Sequence, residues 1–561
     1  MLSRCAYLVY ILDARLRDAG RETWDLSRVP KSRVPCQKIM KFNFVEQLLV
    51  EMRTYLDFDT GCNAFSRKVK EYRYEVCASL FFGLLAYGYY FTNMVYNHDS
   101  MNKIVLNGNH YYRLGRWGID ALLYLLPHPT MPWFDGFVSL FFYTFGICLV
   151  SSVFKLRNKY TRVLLAAVII SFPSFMDDYF YMYQAIYYAL AFALAAAGVF
   201  LWANARNTWW LAGAVFCLSM LLGLYQGLLS VASSLMVVYL VRELVCDPNS
   251  AREAFRKGLV AIGVLVASVL LYALVTKLVF VIKGSGFSDY ANNAMGDKSF
   301  SVRRLLLPYS HMVAELLFLR HNGSVVMTKF ASRVHLAALL CCGFVVLRKM
   351  KGRTATDKAM LSLLLFIYPL SVNFMYLATD PGAVHTLVHV GFLSIYVLMA
   401  VVLEQAERHV MLSNVAKVSL CFIIIVNVRI SNEAAMQTSM LVHHATSVHT
   451  SIVTQIKLSG MLDGKSKLAI LGKTDQFLHD LTKDYPHWRP HVGVGVNNYS
   501  RQNFMRYFLG FDIPAASVGE MKKIVATDEF KDMPIYPYEG SIRKFGDVIV
   551  VKFSDEVKGK H

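Results

Sequence analysis

The chain has 561 residues, of which 55% are hydrophobic and 17% charged, with a mean hydropathy of +0.38. Soluble domains carry about 25% charged residues, so this composition excludes an ordinary globular enzyme and predicts many membrane-spanning helices of roughly 20 apolar residues each. The net charge of +19 would suit nucleic acid, but no zinc pattern or basic low-complexity tail accompanies it, so no nucleic-acid partner is expected; the excess Lys and Arg are read as membrane-flanking loops.

The N-terminal stretch "AYLVYIL" (6–12) is too short to span and lacks a small-residue cleavage site. Residues 1–74 are read as a cytoplasmic extension, partly disordered, with Met40 as an alternative start to Met1. Eleven hydrophobic spans then follow, near 75–95, 132–153, 161–176, 180–202, 208–223, 225–245, 258–281, 329–348, 359–378, 385–404 and 413–430. "RKVKEYRY" (67–74), "KLRNKYTR" (155–162), the 241–258 loop and "RKMKGRTATDK" (348–358) are basic and fall on one side, the cytoplasmic one by the positive-inside rule. The short opposite loops "MDDY", "GLYQ" and "ATDPGAVH" contain no Lys or Arg, whereas the longer outer regions 96–131 and 282–328 do. With eleven spans the tail lies outside. Its short strand-like runs "KLAILG", "HVGVGV" and "DVIVVKF", alternating with helical stretches such as "SVGEMKKIVAT", predict a small α/β domain over 431–561.

Polar residues that carry chemistry gather in the outer regions. Asp99 follows the first span, in "MVYNHDSMN", with Arg113, Arg116 and Asp120 close behind. A carboxylate placed just past a helix C-terminus is disfavoured by the helix dipole, so a function is a better account of it than a solvated helix end. "IDALLYLL" (119–126) is too short to span and is expected to lie flat in the interface. Asp177 and Asp178 sit together after Pro173, either as N-caps of the next helix or as substrate-facing acids, among tyrosines suited to an interfacial belt or to sugar stacking. Tyr225 and Gln226 of "GLYQG" turn a tight hairpin on the same side, where Gln226 either packs or bonds sugar hydroxyls. In the 282–328 region, Lys298, Arg303, Arg304 and Arg320 form a candidate phosphate clamp, guanidinium being matched to phosphate oxygens. No Walker loop, G-x-G-x-x-G, G-x-S-x-G or H-E-x-x-H occurs.

The pieces "HD" after the first span, "GRWGIDALLYLL" (115–126), "FPSFMDDYFYMYQAIYYALAFALAAAG" (172–198), "LLGLYQGLLSVASSLMVVYLVREL" (221–244) and "MPIYPYEGSIRKFGDVIVVKF" (533–553) occur in an order that resembles the bacterial and phage-type O-antigen glucosyltransferases, serotype-modifying enzymes of the GT-C superfamily. The resemblance covers most of residues 75–555. It implies a GT-C-like catalytic domain over 75–430 in the bacterial inner membrane and a periplasmic C-terminal domain. The implied donor is polyprenyl-phosphate-glucose and the implied acceptor lipid-linked O-antigen, with no cofactor and no metal. Asp99 stands where the family holds its catalytic acid in the first outer loop, and would act as base; Arg116, Asp177, Asp178, Tyr225 and Gln226 would bind substrate. One departure is "DPGAVHTLVH" (380–389), where a Pro-Arg pair is expected and His385 and His389 stand instead. The alternatives are a transporter or flippase of lipid-linked sugar and an outer-face acyltransferase using His98 and Asp99. The first would show charges midway along helices and internal repeats, neither of which is apparent.

Overall fold

A computed structural model describes residues 58–95, 97, 99–100, 110–127, 129–246, 251–295, 302–317, 329–379, 386–405, 410–472 and 498–555. The chain separates into two units, Met1–Glu71 and Tyr72–His561. The described part of the first is one helix, α1 (Phe58–Glu71), with Asp59 in its first turn and Lys68 and Lys70 in its last, the charge order a helix dipole favours. The rest of the expected extension, including Met40, lies outside the described residues.

The second unit is an up-and-down array of helices. It comprises α2 (Arg73–Thr92), a short α3 (Trp117–Leu125), α4 (Pro132–Val153), α5 (Lys159–Ile170), α6 (Ser174–Phe180), α7 (Met182–Ala203), α8 (Thr208–Leu224), α9 (Leu229–Cys246) and α10 (Ala251–Lys283). After these come α11 (Asp289–Met295), α12 (Val302–Leu316), α13 (Lys329–Met350), α14 (Ala355–Val372), the single turn α15 (Met375–Ala378), a 3-10 segment Thr386–Leu393 running into α16 (Ser394–Glu404), and α17 (Val410–Leu458). The sequence punctuates these helices where they turn. Pro132 opens α4, Asn158 accepts from Tyr160 N at the start of α5, Asn207 does the same for Trp209 N at α8, and Thr354 and Asp357 form a reciprocal cap on α14.

Eight helices among the described residues are long and apolar enough to cross a membrane, or nine when α5 and α6, bent by 48° at Ser171–Pro173, count as one span. Their outward faces carry Phe141, Leu270, Leu340 and Ile425, each about half exposed or more, which is the surface a lipid phase covers. All eleven expected hydrophobic segments are helical, but two fall short of the span criterion. Helix α8 has 17 residues, and α2 is diluted by Arg73, Glu75 and several tyrosines.

The last expected span, 413–430, is part of something longer. Helix α17 continues without a break for 49 residues, so the expected domain boundary at 430/431 falls inside it; the change of composition there is a change of surroundings along one helix. At about 1.5 Å per residue it is over 70 Å long, more than twice a hydrocarbon core. Its far end packs on a three-stranded sheet of order β1-β3-β2, formed by β1 (Lys467–Leu471), β2 (Ile542–Phe545) and β3 (Val548–Lys552), with β1 parallel and β2 antiparallel to β3. The period-2 pattern sorts the side chains. Leu468, Ile470, Ile549 and Val551 join Ile452 and Ile456 of α17 on one face, while Ala469, Leu471, Val548 and Val550 join Met521, Ile524 and Phe530 on the other. The strands expected from "KLAILG" and "DVIVVKF" and the helix from "SVGEMKKIVAT" (Val518–Val525) are present, β2 is an addition, and "HVGVGV" lies outside the described residues. Buried Lys552 donates to the carbonyls of Phe530, Lys531 and Met533 at 2.8–3.0 Å, tying β3 to the turn beneath it.

Candidate functional site

Alternating helix direction brings one set of loops to each end of the bundle. The basic end holds the starts of α2, α5, α14 and α17 and the ends of α4, α7, α9 and α16. The opposite end holds Asp99, α3, α6, the Tyr225–Gly227 turn, α12 and the 3-10 segment, and α17 runs from the first end toward the second.

Asp99 sits on a turn organised by Asn97. The buried Asn97 Oδ1 accepts from the backbone N–H groups of Asp99 and Ser100, both at 2.8 Å, while its Nδ2 donates to Phe180 O at 2.8 Å. One asparagine thus closes the turn and fastens it to the last residue of α6. Asp99 is half-buried; burial pushes the Tyr181 phenol up, and the charges of Asp99 and Asp177 act in the same direction. His98 lies outside the described residues.

The segment after it is a second anchor. Asp120 accepts from Tyr111 N and Tyr112 N, so this acid serves the Tyr111–Leu114 3-10 turn. Burial pushes the Tyr111 phenol up, and the charges of Asp120 and Asp99 act in the same direction, against Gln184 and Arg116. Gly115 is required here twice over. Its φ is +74°, and a Cβ would lie 2.2 Å from Tyr272 Oη. The motifs "GRWG" and "GLYQG" also close on each other: a Cβ on Gly118 would be 3.0 Å from Gly223 O, and one on Gly223 would be 2.6 Å from the Trp117 ring.

That approach assembles the cluster around Arg116. Its guanidinium lies 4.7 Å over the Tyr225 ring and donates from Nη1 to Gln184 Oε1 at 3.2 Å, while the hydroxyl of Tyr188 donates to the same amide oxygen. Arg116 Nε and Trp117 Nε1 are buried without a hydrogen-bond partner. Gln226 donates from Nε2 to Leu114 O and to Tyr272 Oη, both at 3.0 Å, and so links the turn to α10.

Asp177 and Asp178 lie inside α6, neither of them capping a helix, and both are buried. Asp178 Oδ2 accepts from the Tyr143 hydroxyl of α4. Of the clamp residues, Arg304 donates from Nη2 to Thr379 O at 2.9 Å, at the end of α15. The side chain of Arg303 lies outside the described residues, as do Lys298, Arg320 and His385.

A further group emerges beside the clamp. Glu315 Oε1 of α12 stands 2.5 Å from His389 Nδ1, His389 Nε2 is 3.1 Å from Tyr376 Oη, and the Tyr376 ring stacks on His311 at 3.8 Å. All four side chains are buried. A Cβ on Gly227 would touch Val388, so the "GLYQG" turn and the His389 group share one end. The sequence signal was the basic and acidic spacing on α12, His311 and Glu315 at i and i+4; their partners come from residues 60 to 80 positions away and carry no local signal.

A family model, Glucosyl transferase GtrII, matches residues 88–403, just over half of the chain. The match begins in α2 and ends in α16, and so contains every site residue described above. No curated protein and no solved structure is matched.

Proposed function

The chain belongs to the GtrII glucosyl transferase family of O-antigen glucosylation, and from that premise we propose that it transfers glucose from polyprenyl-phosphate-glucose to lipid-linked O-antigen at the periplasmic face of the bacterial inner membrane, with Asp99 as general base. Helices α2 and α8 complete eleven crossings, and the Asp99 end, with the sheet beyond α17, faces the periplasm. The absence of Lys and Arg from the short loops of that end supports this orientation.

The observation that carries the reading is the Asn97 turn. It holds one half-buried carboxylate beside the α6 end, at the same end of the bundle as Arg116 with its open donor. In the reaction the acceptor hydroxyl oxygen attacks the anomeric carbon while the bond from that carbon to the phosphate oxygen breaks. Asp99 takes the hydroxyl proton and polyprenyl phosphate departs as the anion, so no general acid is required. Arg304, with Arg303, Lys298 and Arg320, holds the donor phosphate and stabilises the charge that builds on it. Arg116, Asp177, Tyr225 and Gln226 orient the sugars; Asp178, bonded to Tyr143, holds α6 against α4.

The test is transfer by the purified full chain from polyprenyl-phosphate-glucose to O-antigen acceptor. Asp99→Asn is expected to abolish most turnover while Asp178→Asn acts on stability. Normal turnover in Asp99→Asn with loss in a folded Asp177→Asn would move the base to α6.

A further inference from the structure

At the basic end, a cavity of about 410 Å³ opens between the α4–α5 turn, the end of α16 and the start of α17. It is lined by Arg157, Asn158, Glu404, Ser413, Asn414 and Lys417, none of which the transfer reaction uses. Asn158 caps α5, and Ser413 and Asn414 lie in the first turns of α17, so two helix N-termini, the positive ends of their dipoles, border the same space. Among the described lining residues the acid is Glu404, and one of its oxygens is engaged. Glu404 Oε1 accepts from the backbone N–H groups of Arg157 (3.2 Å) and Asn158 (2.8 Å), which leaves the Arg157 side chain outside that contact. Two cationic side chains, Arg157 and Lys417, outweigh the single carboxylate of Glu404 among the described lining residues, and two amides and a buried hydroxyl add donors, so the balance of this space favours an anion.

The same helix shows what kind of anion. Met411, Val415, Val418 and Ile425 of α17 are exposed and apolar, and their spacing of four, three and seven residues draws one stripe along the helix. Asn414 and Lys417, which line the cavity, each precede a member of that stripe by one residue, so the cavity-lining row is turned by about 100° from the apolar stripe around the same helix. From Met411 to Ile425 the apolar stripe rises about 21 Å at 1.5 Å per residue, more than the depth of one acyl leaflet, about 15 Å.

We propose that this cavity binds the headgroup phosphate of an anionic phospholipid, with Arg157 and Lys417 as its charge partners and the acyl chains laid along the Met411–Ile425 stripe. A free phosphate would use the cations and leave the stripe without a role; a lipid uses both. The basic loops that surround the cavity face the anionic leaflet when they are cytoplasmic.

The experiment is lipid retention by the purified full chain, read by native mass spectrometry after exchange into phosphatidylglycerol or phosphatidylcholine. One phosphatidylglycerol is expected to stay bound and phosphatidylcholine to be lost. Arg157→Gln and Lys417→Gln should each weaken retention about fivefold, and the pair together about thirtyfold. Lys351→Gln, an exposed cation at the same end but outside the cavity, should change nothing. Melting temperatures of the variants without lipid serve as the folding control, since the backbone contacts to Glu404 survive both substitutions. Equal retention of phosphatidylcholine, an undiminished signal in the double variant, or an equal loss in Lys351→Gln would each overturn the site. Displacement of the lipid by inorganic phosphate alone would assign the cavity to a free anion instead.

Discussion

The two ends of the helical bundle treat charge in opposite ways. At the basic end the fully buried Glu75 of α2 is gripped by Arg162 through both oxygens, Nε to Oε1 at 2.5 Å and Nη2 to Oε2 at 2.6 Å, with the Ser151 hydroxyl as a third donor. Glu243 is closed in the same manner by Arg242 and Lys257, at 2.8 and 2.7 Å. At the other end Arg116 is spread over an aromatic ring and an amide and still has a buried nitrogen to spare, and Asp99 is held at its backbone N–H by Asn97. Full mutual satisfaction fastens helices together; a buried donor left unsatisfied beside a turn is the arrangement a binding site would use.

The sharpest way to break this contrast is to remove one charge at each end. Asp99→Asn retains the Asn97 turn, so kcat should fall about 10²–10⁴-fold, the usual contribution of a general base, at an unchanged melting temperature. Loss of the fold along with activity would mean that Asp99 belongs with the structural charges. Glu75→Gln should do the reverse. It leaves the half-buried Arg162 against a neutral partner and is expected to cost up to about 3 kcal/mol, read as a drop in melting temperature in detergent. A variant that melts like the parent would show that the pair is solvated rather than buried.

Arg116→Lys sharpens the comparison at intermediate scale. An ammonium keeps the charge but cannot stack flat on Tyr225 while donating to Gln184. A decrease in kcat/KM of roughly tenfold to a hundredfold with normal stability is expected, from loss of the cation–π contact and one hydrogen bond. Wild-type kinetics in this variant would reduce Arg116 to a packing residue.

The smallest effect belongs to the exposed charges near the sheet, which resemble neither end. The Lys544 ammonium holds Asp463 down to about 2, and Lys467 with the Ser517 cap holds Glu520 down to about 2. A carboxyl whose folded pKa is depressed contributes stability that is present above its ordinary value near 4 and lost as pH falls toward 2. Hydrogen exchange in β1 and β3 should therefore quicken between about pH 4 and pH 2, and Asp463→Asn should flatten part of that profile. Protection that is flat across this window would remove both pairs from any role in holding the sheet.

Much of this architecture was legible because membrane helices advertise themselves by length and apolarity. The site was legible only in part. Asp99, Arg116 and Gln226 could be singled out as polar residues beside apolar runs, and Asp120 by its proximity to them. What they touch could not. Asp120 turned out to serve two backbone amides, Asp178 a tyrosine of another helix, and Gln226 a carbonyl more than a hundred residues earlier. Asn97, Gln184 and Tyr376 passed unremarked because an amide or a phenol in an apolar run has no period of its own, and their roles arise from helices that meet only in the fold. The strand Ile542–Phe545 was missed because alternation over four residues is too short to stand out.

Helix α17 fixes a phase as well as a distance. Each residue advances the helix by about 100°, so the sheet docked on Ile452, Val453 and Ile456 faces a direction counted out by the residues below it. Insertion of one residue in the middle of the helix would turn the sheet by that angle relative to the bundle, whereas insertion of seven would return it to within about 20° of its bearing, only farther out by about 10 Å. The sheet is thus indexed to the helices beneath it like a hand on a shaft, and the number of residues between Asn432, which donates to Leu85 O of α2, and Ile452 is the gear ratio.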